Sequence, residues 1–443
     1  MGNRIRRYVV YAVFFSSALN AQKPMRADSV DMITYQMAIS GRWEEMMSLA
    51  RKSIRSGTDF HYLRLRMGIY YYNKGNYRRA THHLIKAYNM YKFDDLNNEY
   101  LYYACYFANR NHEGYYIGSN CSMELKNKIK FKKRYFDYLY SNCSYSTNNN
   151  RDEAYKLKNE ELVLNGYQTL NKTLLNVSIG GGHRISSRTS MHWAYYRIQK
   201  QDYLYSAYTG VYNFYDNYNV DQDHFYLSMN EFCGNGWNLT LSGNFVHTTI
   251  YKILPSNHYF RKIGENIPDT VLNAFSASAG ISKDISMFNL LLTSNFSNFS
   301  GGVQFTQTAA LTYYPFGNFN LYISYIPSYH VRIDKISTKN FISSSLLGFK
   351  IFRHLWNELY FSYGEMQNFS SYYSYYIYND INPIYFIAST NFIIPLKQSK
   401  IFLRYSLMQH RSFFQTFMFD NLNNYNRIDY TTSNITGGLI WYF

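Results

Sequence analysis

The sequence lacks any hydrophobic run long enough to form a transmembrane helix. Such a helix needs about 20 consecutive apolar residues, and no stretch of even about 18 occurs in the chain. The mean hydropathy is −0.39. If the chain spans a membrane it must do so as a closed β-barrel, whose residues alternate between lipid and lumen and therefore keep a polar average.

Cysteine is scarce, and positive charge is not concentrated in one place. Four cysteines are too few for a disulfide framework, and Cys121 with Cys143 is the one pair worth testing, because an oxidising periplasm permits it. The net charge of +16 is spread along the chain, so we expect no nucleic-acid partner. The basic run at 126–134 is interpreted as solvated surface, with anionic lipid or an acidic partner as the alternative.

Sequence motifs that are typical of enzymes and cofactor-binding proteins are absent as well. The chain has no G-x-S-x-G, no P-loop, no H-E-x-x-H and no C-x-x-C, so we expect no enzyme, no cofactor and no metal site. The glycines at 180–182 are interpreted as relief of crowding in a strand, since no helix follows them to hold a phosphate. A barrel enzyme would have to draw on residues such as Glu358, His247 and Ser242, which nothing in the sequence brings together.

What the sequence does contain is an aromatic C-terminus with strand periodicity. Residues 431–443 read T-T-S-N-I-T-G-G-L-I-W-Y-F, and every second residue back from the end forms the more apolar face. Aromatics make up 20% of the chain, with 50 Tyr and 32 Phe, which suits belts at two membrane interfaces.

This last stretch resembles the C-terminal strand of bacterial outer-membrane β-barrels, in which a terminal Phe is part of the signal read by the barrel assembly machinery. The resemblance implies contact with that machinery and with outer-membrane lipid. An ordinary hydrophobic edge strand is the alternative. The implied assembly-signal residues are Phe443, Trp441, Leu439 and Ile435.

The N-terminus predicts secretion. Residues 1–21 carry Arg4, Arg6 and Arg7, then a short apolar core, then small residues, which is the pattern of a signal peptide. Cleavage is expected after Ala21, with Ala18 as the alternative.

A helical repeat of 34 residues follows within the expected domain 22–133. Gly41 matches Gly75 and Trp43 matches Tyr77 when the chain is laid on itself, and the second copy resembles a tetratricopeptide repeat. A third, degenerate unit is expected at 96–108 and on into 123–131. The packing residues of the repeat are Trp43, Gly68, Tyr71, Gly75, Tyr77, Ala80 and Ala87. The basic residues expected on its surface, and as contacts to a partner in the helical groove, are Arg64, Arg78, Arg79 and Lys86.

A polar linker is expected at 134–171 and an antiparallel transmembrane barrel at 172–443. Both ends of the barrel should lie in the periplasm, so the number of strands must be even; we predict fourteen, with twelve as the alternative. The predicted strands are 173–183, 188–199, 203–214, 223–232, 237–250, 271–282, 287–297, 302–314, 318–330, 340–352, 355–366, 384–394, 399–410 and 431–443. Tyr203 to Phe214 is the least secure of them, because it could belong to a long outer loop.

Alternation also assigns the two faces of the strands. Leu241 and Leu321 are predicted to face lipid, while their sequence neighbours face water. Short turns alternate along the chain with long connections, which are expected at 254–270, 332–339, 367–382 and 411–430, and we place the short turns in the periplasm. The residues expected to line the lumen are Asn238, Asn320, Glu358, Lys400 and Arg404.

The whole arrangement resembles the outer-membrane barrel proteins of the Bacteroidetes, Gram-negative bacteria, that carry periplasmic tetratricopeptide repeats, including relatives of the YaiO-type barrel. This resemblance implies a conduit, or a secretion or export component for polymer or protein. It also implies that the repeat domain docks a periplasmic protein, peptide or polymer. A non-conducting structural barrel is an equal alternative. An enzyme acting on lipid or protein is the least favoured.

Overall fold

The computed structural model describes residues 25–152, 166–208, 211–252, 267–299, 302–333, 337–416 and 427–443. The chain divides into two compact units, with the boundary between residues 131 and 132. The expected signal peptide at 1–21 lies outside the described residues.

The first unit is built from short helices joined by tight turns. The helices are α1 Ala27–Ile39, α2 Trp43–Arg55, α3 His61–Asn73, α4 Tyr77–Met90, α5 Asp95–Phe107, α6 Asn111–Ser119 and α7 Met123–Lys128. The starts of α1, α3 and α5 are 34 residues apart, and so are the starts of α2, α4 and α6. The unit therefore contains three successive helix pairs with one period.

The turns within these pairs repeat with the same spacing. Gly41, Gly75 and Asn109 each follow the first helix of a pair and have φ of 76°, 72° and 55°. A left-handed residue here allows the turn to satisfy the last helical carbonyls. The second helix of the third pair is α6, so the expectation that this unit passes from 96–108 directly into 123–131 is wrong.

The interior of the helical unit is apolar and closely packed. Leu84, Ala80 and Ala87 of α4 are fully buried, and a Cβ added at Gly68 of α3 would lie 2.4 Å from Leu84 Cδ2. This contact explains why a small residue is needed where α3 and α4 cross. Three of the described helices, α4, α5 and α7, have a side-chain N-cap; at α5, the Asp94 side chain accepts hydrogen bonds from the first turn.

The second unit is a closed antiparallel barrel. Its strands are β1 Phe136–Asn148, β2 Gly166–Arg184, β3 Thr189–Tyr208, β4 Val211–Gly234, β5 Trp237–Lys252, β6 Ile267–Ile285, β7 Phe288–Ser297, β8 Val303–Tyr313, β9 Leu321–Ile333, β10 Thr338–Phe352, β11 Leu355–Met366, β14 Ile384–Pro395, β15 Ser399–Ser412 and β17 Ile428–Tyr442. Three two-residue strands, β12 Phe369–Ser370, β13 Ile377–Tyr378 and β16 Gln415–Thr416, lie in the connections. The strands pair in chain order and β1 pairs with both β2 and β17, which closes the barrel at fourteen strands.

The longest intervals between consecutive strands all lie at one end of the barrel. The connections at 185–188, 235–236, 286–287, 314–320, 353–354 and 396–398 share one end with the start of β1 and the end of β17, which we call the inner end. The other, outer end has the four longest intervals, which follow β1, β5, β11 and β15, together with shorter ones after β3, β7 and β9.

The barrel exposes its apolar residues and buries its polar ones. On β5, Leu239, Leu241 and Phe245 are exposed, whereas Thr240 and Asn244 are buried. Because neighbouring side chains in a strand point to opposite faces, this pattern places the apolar face outside and the polar face in the lumen.

Aromatic side chains form two rows on the outer face. The outer-end row consists of Tyr195, Phe225, Phe245, Phe275, Phe296 and Phe305, which are joined by direct register pairs except for Phe275 and Phe296, whose ring centres are 5.9 Å apart. The inner-end row contains Trp237, Phe288, Tyr313, Trp441 and Phe443. From Trp237 to Phe245 the strand runs roughly 27 Å, or roughly 20 Å along the axis of a barrel with strands tilted by about 40°.

The predicted barrel and its fourteen strands are confirmed, and the alternative of twelve is wrong, but two strand assignments differ. The stretch 136–148, expected within the linker 134–171, is β1 and closes the barrel. The regions 188–199, 203–214 and 223–232, expected as three strands, form the two long strands β3 and β4. The total of fourteen is still correct because the sequence analysis missed one strand, β1, and predicted one too many between 188 and 232. Both numbers of strands are even, as a barrel with both ends on one side requires.

Two further findings concern the covalent and membrane properties of the described residues. Cys105, Cys121, Cys143 and Cys233 are free, so the Cys121 and Cys143 thiols are not bonded to each other. Within the described ranges, no helix is long and apolar enough to span a membrane.

Candidate lumen constriction

The lumen wall combines small polar residues with large rings. From β5 to β11 the inner face carries many small polar residues, including Ser242, Asn244, Ser276, Asn295, Thr308, Ser328, Ser344 and Ser362, together with the rings of Tyr322, His330 and Tyr360. On the other half, the inner face of β1, β3, β4, β15 and β17 carries the rings of Tyr138, Tyr140, Tyr196, Tyr226, Phe402 and Tyr442.

Glycines make room for some of these rings. A Cβ added at Gly180 or Gly182 would lie within 2.6 Å of the ring of Tyr140 or Tyr138. The interpretation of this glycine run as relief of crowding therefore has a specific geometry: each ring occupies the space that a side chain at the glycine would need.

The connection 367–383, which we call the lumen loop, folds into the barrel. It leaves β11, forms a small hairpin through β12 and β13, and returns to β14. The tip of this hairpin is a single 3-10 turn at Tyr372–Ser374. It reaches β5, β6 and β7, which lie nearly half way round the barrel from β11 and β14. The loop thus crosses the lumen.

Hydrogen bonds hold the tip against β5. Ser242 Oγ donates to the Tyr373 carbonyl at 2.6 Å, and Asn244 Nδ2 donates to the Ser374 carbonyl at 2.9 Å. Asn244 also contacts the Tyr196 hydroxyl, which in turn donates to the Tyr375 carbonyl at 2.7 Å. Two consecutive lumen-facing residues of β5 and one of β3 therefore bind the backbone of the loop.

The next two strands bind the tip through side chains. Ser276 Oγ of β6 lies 3.0 Å from Ser370 Oγ and donates to Ser374 Oγ at 2.9 Å. Asn295 Nδ2 of β7 donates to the same two hydroxyls at 3.2 and 2.5 Å. Ser370 and Ser374 are almost completely buried, so these bonds are shielded from solvent.

The base of the loop is fixed by apolar packing instead. Phe369 at the start of the hairpin packs with Ile342, Met366, Ile384 and Ile387, which come from β10, β11 and β14. Because this cluster is buried, leaving it would expose apolar surface to water. The base is therefore anchored by apolar burial, and Tyr375, next to the tip, packs in a similar way against Tyr196 and Tyr226.

An ionic anchor holds the returning arm of the loop. Asp380 lies 2.8 Å from Lys200 Nζ of β3, and the same ammonium lies 2.7 Å from Asp202. Asn171 Nδ2 of β2 donates to Asp380 at 3.1 Å. The arrangement links the loop to the wall at the outer end, with one lysine between two carboxylates.

On the inner side of the loop, the lumen contains solvent-accessible polar groups. Tyr376 is 51% exposed although it lies inside the barrel, and it is hydrogen bonded to Arg404 of β15. Glu358 of β11 accepts hydrogen bonds from Tyr322 at 2.5 Å and from Asn391 at 2.9 Å. The exposure of Tyr376 means that the loop does not fill this part of the lumen.

The tip of the loop has an unfavourable backbone conformation. Tyr373 and Ser374 have φ of 63° and 59°, in the left-handed region that non-glycine residues rarely adopt. Each such residue costs roughly 1–3 kcal/mol, which the surrounding hydrogen bonds must offset. The docked tip therefore stores strain that a released tip would lose.

The structure distributes the predicted lumen residues unevenly. Glu358 and Arg404 lie on the inner face as just described, and Asn238 follows the first residue of β5 at the inner end. Asn320 does not belong to the lumen wall: it is exposed in the turn before β9, because that strand begins later than expected. Lys400 is exposed at the inner end, with its Nζ 5.2 Å from the Tyr442 ring centre.

The predicted basic surface of the helical unit needs correction at two of its four positions. Arg64 is 5% exposed and makes a bidentate pair with Asp59 at 2.6 and 2.5 Å. Arg78 is 2% exposed and donates to the Ala108 carbonyl at 3.3 Å. Both guanidinium groups have inward partners that the periodicity alone could not indicate. Arg79 and Lys86 are exposed as expected.

Two adjacent histidines lie beside Arg64. Arg64 Nη1 donates to His83 Nδ1 at 3.1 Å, and the His83 ring stacks on Tyr71 at 5.4 Å. Burial lowers the pKa of His83 to about 3 and that of His82 to about 4, and the neighbouring positive charges act in the same direction. Both rings are therefore neutral at physiological pH.

The other predicted residues occupy the following places. Trp43, Tyr71 and Tyr77 pack between helices, and the small residues lie at the helix contacts and the turn already described. Ile435, Leu439 and Trp441 of β17 are exposed on the outer face at 57%, 44% and 46%, and Phe443, directly after the strand, is 49% exposed.

The residues considered for a barrel enzyme are not brought together. Ser242 binds the loop tip, His247 contacts Asn273 on the outer face, and Glu358 lies on β11. Within the described part of the chain, no group of three His, Cys, Asp or Glu residues is placed to hold a metal ion.

The lumen loop is the element of the candidate site that sequence reasoning missed. Residues 367–382 were expected only as one of several long outer connections. A signal was available in S-S-Y-Y-S-Y-Y at 370–376, since small hydroxyl residues between aromatics are suited to a lumen with small polar walls.

Comparison with solved structures finds other β-barrels at low identity. The toluene transporter TodX of Pseudomonas putida matches with a TM-score of 0.42 and 8% identity, covering 71% of this chain and 91% of TodX. A FadL homologue of Pseudomonas aeruginosa matches with a TM-score of 0.37 and 9% identity, covering 71% and 92%. A bacterial polysaccharide outer-membrane secretin matches with a TM-score of 0.35 and 9% identity, covering 69% and 99%. No protein-family model and no curated protein matches the sequence.

Proposed function

We propose that the protein is an outer-membrane conduit whose opening is controlled by the lumen loop, with the helical unit in the periplasm. The apolar outer face between two aromatic rows supports a membrane position, since barrels of this kind carry an apolar band about 25 Å tall with aromatic residues at both interfaces. The position of the short turns supports assigning the inner end to the periplasm.

The observation that carries this proposal is that a loop with a strained tip crosses the lumen and is held there by polar contacts. Its tip accepts or shares hydrogen bonds with Ser242, Asn244, Ser276 and Asn295 of the opposite wall. Water can replace each of those bonds, because their net contribution is only about 0.5–1.5 kcal/mol each. Release of the tip would uncover a wall rich in small polar residues.

Within this proposal, the helical unit is a tetratricopeptide-like docking domain for a periplasmic protein, peptide or polymer. Its three helix pairs with a 34-residue period support that assignment. Since Arg64 and Arg78 are buried, the docking contacts fall to exposed residues such as Arg79 and Lys86.

The test is single-channel conductance of the purified chain in planar bilayers. The Oγ atoms of Ser276 and Ser370 are 3.0 Å apart, so cysteines at both positions can form a disulfide that fixes the tip to β6. We expect the oxidised S276C/S370C variant to be closed and to recover wild-type openings after reduction. The single variants S276C and S370C control for the loss of each hydroxyl.

A second variant tests the opposite direction. Asn244→Ala with Asn295→Ala removes amide donors to the tip and should increase the open probability. Conductance that the disulfide leaves unchanged would contradict control by this loop.

The second candidate is a non-conducting structural barrel. It is favoured by the ionic anchor of Asp380 and Lys200, which ties the loop into the closed arrangement. This function predicts no openings in the wild type, in the reduced variant, or after removal of Asn244 and Asn295.

A further inference from the structure

Five basic residues, which we call the basic track, lie at the inner end of the barrel on the hairpins β10–β11 and β14–β15. Arg353 and Lys397 are exposed in the two turns. Lys350 lies near the end of β10 and Lys400 near the start of β15, and Arg404 follows Lys400 on β15. Because β11 pairs with β14, the two hairpins are adjacent and the five residues share one sector of the barrel.

The register places three members of the basic track on the inner face. Lys350 pairs directly with Trp356, two residues before Glu358, so both face the lumen as Glu358 does. Arg404 shares a register row with Glu358 through β14, and Lys400, four residues before Arg404, has the same face. Four residues correspond to about 14 Å along a strand, and the three strand spacings from β10 to β15 also measure about 14 Å. The basic track therefore extends from the turns into the lumen.

The positive charges of the basic track have no carboxylate at salt-bridge distance among the described residues. Lys350 Nζ lies 4.8 Å from the Trp356 ring centre, and Lys400 Nζ lies 5.2 Å from the Tyr442 ring centre. Glu358 is the acidic residue in these rows, and it accepts its hydrogen bonds from two uncharged side chains. The sector therefore presents several positive charges that are free to meet a ligand.

Basic residues at the outer end are paired instead. Arg197 Nη2 lies 2.9 Å from Asp221, and Arg411 Nε lies 3.0 Å from Asp429. An anion that approached these guanidinium groups would have to compete with the carboxylates, whereas at the basic track it would meet unpaired positive charge. The inner end is therefore the better place for an anionic ligand.

The basic track ends at the lumen loop. Arg404 is hydrogen bonded to Tyr376, whose side chain is 51% exposed inside the barrel. A carboxylate, sulfonate or phosphate binds a guanidinium group more strongly than a neutral phenol does, because both partners are then charged. An anionic group that reached Arg404 would therefore replace the Tyr376 hydroxyl there.

We propose that the basic track binds organic anions that carry several carboxylate, sulfonate or phosphate groups and enter the lumen from the inner end. A single anionic group cannot contact all five side chains, because they are spread over about 14 Å in each direction. A lipid headgroup is not the ligand, since Lys350, Lys400 and Arg404 face the lumen. The inference names a class of solute for the proposed conduit and rests on that function, although binding alone requires no conduction.

The test is fluorescence anisotropy of pyrenetetrasulfonate, a rigid polyanionic dye, titrated with the full-length protein in a non-ionic detergent at low salt. Lys350→Gln with Lys400→Gln should weaken binding about tenfold, the effect of two exposed ion pairs. The matched control, Lys133→Gln with Lys283→Gln, removes two lysines that also lie over aromatic rings, one before β1 and one on the outer face. The control should bind like the wild type, and equal weakening in the two double variants would overturn the proposal.

A second double variant changes only exposed turn residues. Arg353→Gln with Lys397→Gln should also weaken binding about tenfold, and it keeps the test decisive if the first variant does not assemble. The shift in electrophoretic mobility on heating checks the folding of every variant. Wild-type affinity in the variants of the basic track that assemble, or no binding of the dye by the wild type, would overturn the proposal.

Reversal potentials in a KCl gradient separate this inference from the proposed function. We expect wild-type channels to prefer chloride over potassium, and the variant that lacks Lys350 and Lys400 to prefer it less, since rings of Lys and Arg favour anions in pores. Openings without such a preference would overturn the anion site and leave the conduit. Dye binding that depends on the basic track, without any openings, would support the anion site and overturn the conduit.

Discussion

The helical unit and the barrel are built with opposite distributions of polar residues. In the helical unit, Leu84 and Ala80 are fully buried. In the barrel, Leu241 is 49% exposed while Asn244 is 2% exposed. The difference indicates that one chain is adapted to two solvents, since water favours an apolar interior and lipid favours an apolar exterior. Equivalent substitutions in the two units should therefore have different effects.

The largest expected effect concerns the barrel alone. Phe443→Asp places a charge at the exposed end of the inner-end aromatic row, and we expect almost complete loss of assembled barrel. The measurement is the heat-dependent electrophoretic shift of membrane fractions. Phe316→Asp, at an exposed aromatic in the turn before β9, is the matched control. Normal assembly of the Phe443 variant would contradict the assigned role of this residue.

The next effect compares one substitution in both units. Leu84→Ala leaves a cavity against Gly68 and should lower the free energy of unfolding of the helical unit by about 2–5 kcal/mol. Leu241→Ala on the lipid face should cost far less, because no packed core is opened. Urea denaturation of the fragment 22–133 measures the change in the free energy of unfolding for Leu84→Ala, and urea denaturation of the full-length protein measures it for Leu241→Ala. Similar losses in the two units would mean that Leu241 is packed within protein.

A charge on the lipid face should have a comparable cost. Leu241→Arg is expected to destabilise the barrel by about 2–4 kcal/mol, whereas Asn238→Arg, whose position faces the lumen near its inner end, should cost little. Equilibrium unfolding in lipid vesicles measures both. An equal cost at the two positions would refute the assignment of faces on β5.

The last effect, which is present only on acidification, is the response of the helical unit to acid. His82 and His83 have pKa values of about 4 and 3 in the folded unit and 6.5 as the ordinary value. Between these pKa values the two histidines bind more protons in the unfolded chain than in the folded unit. Their contribution to the free energy of unfolding is therefore complete above about pH 6.5 and is lost as the pH falls toward 3. The free energy of unfolding changes by at most about 1.4 kcal/mol per pH unit for each histidine.

Urea denaturation of the fragment 22–133 at pH 7 and pH 4.5 measures this response. The His82→Gln, His83→Gln double variant should lose less stability on acidification than the wild type. The same dependence in both proteins would indicate that other groups cause it.

Local pattern alone predicted much of the architecture. Alternate side chains of a strand such as 237–250 face opposite sides of the barrel wall, so the apolar residues recur at every second position. This pattern correctly predicted that Leu241 points outward. Parity of the strands fixed an even total. The glycine at 75 was likewise readable, because a tight turn between helices favours a left-handed residue.

Only the tertiary structure decided which polar segments pack and with what. The stretch 136–148 is rich in Ser, Asn and Tyr and has no strong apolar alternation, yet it becomes β1 because β2 and β17 present two edges that must be paired for closure. Arg64 and Arg78 are buried because Asp59 and the Ala108 carbonyl lie beside them in the folded unit. The lumen loop is determined by residues of β5, β6 and β7, far away in sequence, and a local pattern contains no information about such contacts.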